Sequence, residues 1–523
     1  MDKDLSPLKS IILIIAVTTI CLFILNIPEK TGIADNGDFA RVLEPTSLTS
    51  LNPDNAKYFY QSEYKMDITN STFFEALIEI WQENIYQNID YSSAQLFFIN
   101  IAKTSNYIFN LVFGLELTHF SMFFLDIQYI LIFAFAFWLL YKSFRTGNLI
   151  KNILLLIVLS FVFFDLGYII YFNSMYGEAL QYCSFMLITS ILLYTVQCFK
   201  QGERLTSSNC ILLAIFFIFT FVFATAKTAN IPIGIIFAIT GIIITLLTAK
   251  NISKVLLIIL GCSTIVFSII QLMQIPPWMT NVANYNTVFY GVLKGSNEPR
   301  NDLAELNINA KYVTYTNTIA YNPLNKYSIY TNDYSESIYK DIANTNVIKY
   351  YFTHPGRFIE KTNISLNESK NLKLAYLGNY EEFNHNQGDV NNNFSLWSNV
   401  RSAINITAPG LFILICILIA CYITINFIKY VKRIFKDNLP HEIILYDTSI
   451  LNNLIYLTLF VSLLLSLIIP FMTNGEADLQ KHLFLFNNIY DIILIIIICT
   501  FLININVYYS YIKEKIVKAI SSH

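Results

Sequence analysis

The sequence predicts an all-α polytopic membrane protein of about ten helices with a large α/β segment outside the membrane. Three observations lead there. Of 523 residues, 55% are hydrophobic and only 13% are charged, about half the ~25% charge of an ordinary soluble domain. Apolar runs long enough to cross a roughly 30 Å hydrocarbon core recur along the chain. Basic residues gather in alternate short loops between those runs. Missing charge argues against a string of soluble domains, and high hydrophobicity excludes disorder. A net charge of −2 gives no global basic field, so nucleic acid is not an expected partner.

The predicted spans lie near 11–27, 120–141, 153–172, 178–198, 209–226, 230–248, 255–273, 408–430, 450–472 and 483–507. The first reads as an anchor rather than a cleaved leader. Its core is long, and no small-x-small site follows before Pro28. The stretch 95–113 is short and carries Lys103, which suits an interfacial amphipathic helix better than a span. This divides the chain into a seven-helix bundle (1–273) with a long first loop (28–119), a segment from 274 to 407, and three closing spans (408–523). The middle segment is rich in Asn and Tyr and long enough for a small mixed α/β domain.

Orientation follows from the loops. Lys142, Arg145 and Lys151 share one, Lys200 and Arg204 the next, and Lys250 and Lys254 a third. Lys429, Lys432, Arg433 and Lys436 form a fourth group, and Lys513, Lys515 and Lys518 a fifth. All fall on one side with the N-terminus, which the positive-inside rule makes cytoplasmic. Both termini are then expected inside, with 28–119 and 274–407 outside. All eight cysteines lie in or beside spans. An exported segment without cysteine fits a bacterium that does not rely on disulfides. No CxxC pair, phosphate loop, GxGxxG fingerprint or internal repeat is present.

Polar residues cluster at the predicted outer face. TGIADNGDFAR follows the first span, with Asp35 and Asp38 three apart and Arg41 three further on. YFNSMYGE closes the third span and contains Asn173, Tyr176 and Glu178. TAKTANIP follows the fifth and contains Lys227, and TNGEADLQKH joins the last two with Asp478, Lys481 and His482. Two further acids, Asp126 and Asp165, fall in the outer halves of their helices, where ionisable groups usually face a polar cavity. Each group also has a plainer reading. Loop carboxylates are solvated, Lys227 snorkels to headgroups, and intramembrane acids hold a bundle together.

NGDFAR (36–41), NSMYGE (173–178), YNTVFYGVLKGSNEPRNDLAEL (285–306), HPGRF (354–358) and GEADLQKHLFLFN (475–487) carry a resemblance. In their order and spacing they resemble bacterial surface-glycan hexosyltransferases of the WsfD type, within the GT-C superfamily of polyprenyl-phosphate-sugar glycosyltransferases. The resemblance implies membrane helices, an extracytoplasmic active site and an Asp base in the first loop. It makes Lys227 and Arg357 of HPGRF candidates for the carrier phosphate. No WWD motif is present, so protein N-glycosylation is not implied.

The chemistry stands independently. A sugar on a polyprenyl phosphate already carries its leaving group. Inverting transfer needs one base for the acceptor hydroxyl and cations for charge building on the phosphate. Asp38 or Asp35 suits the first role, with Asp38 preferred because Gly37 lets substrate come close. Lys227, Lys481, His482 or Arg357 suits the second, and Arg41, Asn173, Tyr176, Glu178 and Asp478 complete the expected substrate site. No cofactor is required, although two neighbouring carboxylates admit a divalent cation. The expected partners are the lipid-linked donor, a cell-surface glycan acceptor, the bilayer and an enzyme that makes the donor in the cytoplasm. Three rivals stand beside this reading. A polymerase or ligase would consume a diphosphate-linked oligosaccharide. A flippase or transporter would hold its charges at the midplane between repeats. A scaffold would be indifferent to loss of the loop acids.

Overall fold

The computed structural model describes residues 6–68, 72–86, 92–199, 206–249, 251–321, 344–383, 385–437 and 448–521. It is overwhelmingly helical. Among these residues nine helices are long and apolar enough to cross a membrane, and a bent pair makes ten. They are α1 (Pro7–Asn26), α5 (Phe123–Phe144), α8 (Gly177–Cys198), α9 (Ser207–Ala226), α10 (Ile231–Thr248), α11 (Asn251–Met273), α17 (Pro409–Asp437), α18 (Thr448–Asn474) and α20 (Phe484–Ser521). The pair is α6 (Leu149–Phe163) with the short α7 (Leu166–Ile169) and the 3-10 turn after it, bent by 54°. The sequence predicts one straight span there. Asp165 breaks it by capping α7, its Oδ1 accepting from Gly167 N at 2.8 Å, an alternative that Asp offers a helical backbone.

Helix α8 is the axis of the bundle, with 94% of its apolar window buried against α5 and α9. By contrast α1, α11 and α17 bury only 22%, 22% and 17% of theirs. Apolar all round yet unpacked on most sides, they suit a lipid surround rather than water.

Between α1 and α5 lie α2 (Ala40–Leu43), α3 (Phe73–Tyr86) and α4 (Ala94–Phe113), with β1 (Leu48–Ser50), β2 (Glu63–Met66) and β3 (His119–Ser121). The strands form an antiparallel sheet in the order β1-β2-β3, Leu48 opposite Met66 and Glu63 opposite Ser121. Helix α4, covering the stretch expected to be interfacial, is amphipathic with its polar face inward. Asn106 Nδ2 donates to His119 O at 2.7 Å, Asn110 Nδ2 to the same carbonyl at 2.9 Å, and buried Lys103 to Thr46 O. Phe97, Phe109, Val112 and Phe113 stay exposed on the other face.

The middle segment supplies α12 (Pro277–Thr287), a π-helical turn over Val288–Val292, α13 (Pro299–Glu305), α14 (Asn344–Thr353), α15 (Pro355–Glu368) and α16 (Leu396–Ala403). The short α19 (Leu479–His482) lies between the last two spans. The sequence places mixed α/β structure in 274–407, whereas the described strands all lie between Leu48 and Ser121, ahead of α5. Strand-like pairing in the middle segment is an isolated bridge between Thr31 and Tyr380, which ties the two long segments together. Asp165 also accepts from Ser398 N at 2.9 Å, and fully buried Arg401 pairs with fully buried Asp491. Both contacts fasten α16 to the spans, so the middle segment sits on the bundle as part of one body. Of the two intramembrane acids, Asp165 thus serves as a tie between elements; Asp126 is buried near the start of α5.

Candidate functional site

The first loop is laid down as an extended strap. Gly32 N donates to Asn379 O at 3.0 Å, Ile33 N to Asn173 O at 3.2 Å, and Ala34 N to Gly378 O at 3.0 Å. Asn173 also donates through Nδ2 to Thr31 O at 2.9 Å. The strap ends in a tight turn built by Asp35, whose Oδ1 accepts from Gly37 N at 2.7 Å and Phe39 N at 3.0 Å. Gly37 has φ +101° and open space where a side chain would stand. A residue with a Cβ resists that conformation. Asn36 N donates to the Tyr176 hydroxyl at 2.9 Å, and Asn36 Nδ2 to Asp478 Oδ2 at 3.2 Å. The turn therefore presents Asp38 at a fixed place.

What meets Asp38 comes from the other end of the chain. The loop after α18 reverses through Gly475 (φ +57°) and Asp478 (φ +47°), the second being one of the few non-glycine residues in the left-handed region. This reversal aims Lys481 at Asp38 across 443 residues of sequence, and the two side chains form an ion pair. Arg41 pairs with the other carboxylate oxygen at 2.8 Å. The Lys481 ammonium also stands 4.9 Å from the Tyr176 ring centroid and 4.0 Å from Asp478 Oδ2. Lys481 is only 2% exposed, while Asp38 keeps 26% of its side chain open. A buried cation thus lies beneath a carboxylate that still reaches solvent.

Electrostatics follow from this packing. Burial alone would raise the Asp38 carboxyl, but Lys481 and then Arg41 hold it well below the usual carboxylate range. Burial likewise disfavours charge on Lys481, yet Asp38, Glu178 and Asp478 outweigh it and push the ammonium up. Burial raises the Asp35 carboxyl against the two backbone donors that hold it. His482 goes well below the ordinary imidazole value, first through burial and then through Lys227 and Lys481. Expected from sequence as one of four cations for phosphate, His482 is therefore a neutral ring.

Asp35, Asp38, Arg41, Tyr176, Asp478 and Lys481 are joined directly or through Asn36. Lys227 pairs with Glu178 at 2.7 Å, close enough that their charges act on His482 and Lys481 respectively. Asn173 lies behind, holding the strap. Arg357 is set apart. Its guanidinium donates to Gly295 O at 3.1 Å, Val292 O at 2.9 Å and Lys294 O at 2.8 Å, and pairs with Glu360 at 2.5 Å. Those bonds cap the turn after the π-helical stretch. Next to it, Glu476 accepts from Lys361 at 2.6 Å and Lys294 at 2.8 Å, and so anchors the loop that carries Lys481. Sequence reasoning missed Asn36, which stands inside NGD without a charge to mark it. It also missed Tyr376, whose field couples to Asp478, Glu178 and Asp38. No spacing rule connects Tyr376 to the loops it meets.

One ionised carboxylate therefore faces two cations, with a second ion pair alongside. The arrangement can take a proton from a hydroxyl and hold an anion through Lys481 and Arg41. Among the described residues no three His, Cys, Asp or Glu side chains converge as a metal site.

The sequence profile of one family, the YfdI N-terminal transmembrane domain, matches residues 2–519. No curated protein matches the chain, and no solved structure does.

Proposed function

We propose, from the premise that this chain belongs to the YfdI N-terminal transmembrane domain family of polytopic membrane proteins, that it is an inverting glycosyltransferase. It moves a sugar from a polyprenyl-phosphate carrier to a cell-surface glycan at the extracytoplasmic face of a bacterial membrane, with both termini in the cytoplasm. The observation that carries this reading is Asp38, held between Lys481 and Arg41 with part of its carboxylate open to solvent. The acceptor hydroxyl attacks the anomeric carbon and gives its proton to Asp38. The bond from that carbon to the phosphate oxygen breaks, and polyprenyl phosphate leaves with the electron pair. The resting carboxylate is a weak base because two cations neutralise it. Donor phosphate competes for those same cations. As Lys481 and Arg41 turn to the phosphate, Asp38 loses their stabilisation and becomes more basic when the donor is in place. Lys227, paired with Glu178, adds positive potential on the same side. No protein cofactor enters the scheme.

The test is reconstitution of the full chain in lipid nanodiscs with polyprenyl-phosphate hexoses and purified cell-surface glycan. Release of polyprenyl phosphate that depends on acceptor, and that falls by about 10²–10⁴ in Asp38→Asn, is the expected result. Consumption of a diphosphate-linked oligosaccharide, with every monophosphate-linked sugar left untouched, would move the assignment to a polymerase or ligase.

A further inference from the structure

Beside Asp38 a chain of amide hydrogen bonds runs from the middle segment into His482. It starts at a group that can only donate, Ala320 N, which gives its hydrogen to Asn286 Oδ1 at 2.8 Å. Asn286 must therefore present Nδ2 to its neighbour, and it donates to Asn474 Oδ1 at 2.9 Å. Asn474 is fixed in turn, and its Nδ2 donates to a group that can only accept, Ala477 O, at 3.1 Å. The same Nδ2 lies 3.0 Å from His482 Nε2. Flipping either amide would set donor against donor at one end and acceptor against acceptor at the other. Nε2 therefore accepts and carries no proton, and in a neutral ring the proton sits on Nδ1.

We infer that Asn474, positioned by Asn286, locks His482 as a neutral imidazole protonated at Nδ1, and that this N–H is a hydrogen-bond donor to the phosphate of the incoming lipid carrier. The phosphate assignment rests on the function proposed above; the tautomer does not. Among the described residues none accepts from Nδ1. The charged groups acting on the ring are Lys227 at the end of α9, Lys481 on its own helix, and Asp38 and Arg41 from the first loop. Three of these four are cations, so a neutral donor supplies hydrogen bonding where another positive charge would be repelled. The lock also uses up the basic nitrogen, which leaves Asp38 as the proton acceptor at this site. The middle segment thereby reaches the reacting group through its backbone at Ala320.

Two measurements test this. The first is nitrogen NMR of the full chain in nanodiscs at neutral pH with ¹⁵N-histidine, the His482 signal identified by its loss in His482→Gln. A protonated Nδ1 with a bare Nε2 is expected. A bare Nδ1, or both nitrogens protonated, overturns the inference whatever the protein catalyses. The second uses Asn474→Asp, which places an acceptor opposite Nε2. At alkaline pH the single ring proton then moves to Nε2, and the phosphate loses its partner. The Michaelis constant for polyprenyl-phosphate hexose should rise about tenfold or more at pH 8, the usual scale for a hydrogen bond to a charged group. It should recover as pH falls and the ring, now beside a carboxylate, takes a second proton and regains its Nδ1–H. A pH-independent Michaelis constant in this variant, with the expected NMR pattern in the native chain, would keep the tautomer and remove the phosphate from it. Absence of any transfer by the native chain would instead count against the proposed function.

Discussion

Replacing each partner of the Asp38–Lys481 pair should have unequal effects on stability and overlapping effects on activity. Breaking a buried ion pair from one side costs about 3–5 kcal/mol, because the other charge stays buried. In Asp38→Asn the remaining charge is Lys481, 2% exposed, with Asp478 at 4.0 Å as its next acid. The lower end of that range, about 3 kcal/mol, is expected. In Lys481→Met the remaining charge is Asp38, 26% exposed and still bonded to Arg41 at 2.8 Å, so the loss should be nearer about 1 kcal/mol. Asp38→Asn should therefore melt lower than Lys481→Met in thermal unfolding of the detergent-purified protein. The pH dependence has a definite sign. A carboxyl held below its ordinary value stabilises the fold above about pH 4 and loses that contribution as pH falls through its folded pKa. The stability gap between native chain and Asp38→Asn should accordingly narrow in acid. For turnover, Asp38→Asn should lose about 10²–10⁴. Lys481→Met should lose about 10–150-fold in kcat/KM, the equivalent of one hydrogen bond to a charge. The double variant should lose less than the product of the two single losses, since the part of the Lys481 effect that works through Asp38 disappears with the base while its hold on the phosphate remains to be lost. A lower melting point for Lys481→Met than for Asp38→Asn, or losses that multiply in the double variant, would refute the reasoning.

Three further outcomes are expected. With the native cysteines replaced, Asn392→Cys, an exposed position, should react with an impermeant thiol reagent in intact cells while Lys432→Cys stays protected; the reverse pattern would invert the proposed orientation. Lys227→Ala should raise the Michaelis constant for the lipid donor, whereas Arg357→Ala, which frees three capped carbonyls, should lower thermal stability by about 1–3 kcal/mol with that constant unchanged. Gly475→Ala would put a Cβ 2.8 Å from Gly291 N and against the Asn286 carbonyl at a φ of +57°. That change should displace the Lys481 loop and cost activity comparable to Lys481→Met, and native turnover in it would show that the loop tolerates a different path.

The sequence by itself determined where the helices are and which loops hold polar groups. Hydropathy is a local sum, so α5, α8, α9 and α10 fall within a few residues of the predicted spans, and Lys103 marked α4 as different before its inward polar face was visible. Gly37 stood out in the sequence only for the close approach that a missing side chain allows; its turn, at a φ of +101°, came with the fold. Tertiary structure alone decided the rest. Asp38 and Lys481 are 443 positions apart, and no local pattern encodes such a pairing. Asp165 looked like a lining group of a cavity, yet it is the cap of a helix break that Ser398 completes. Arg357 looked like a phosphate ligand, yet its donors go to the carbonyls of Val292, Lys294 and Gly295, where the chain turns at the end of a π-helical stretch. His482 looked like a cation, and its neutrality depends on burial beside Lys227 and Lys481. A side chain's type limits what it can bond; its charge state and partners depend on which segments the fold packs against it, over distances that the order of residues does not record.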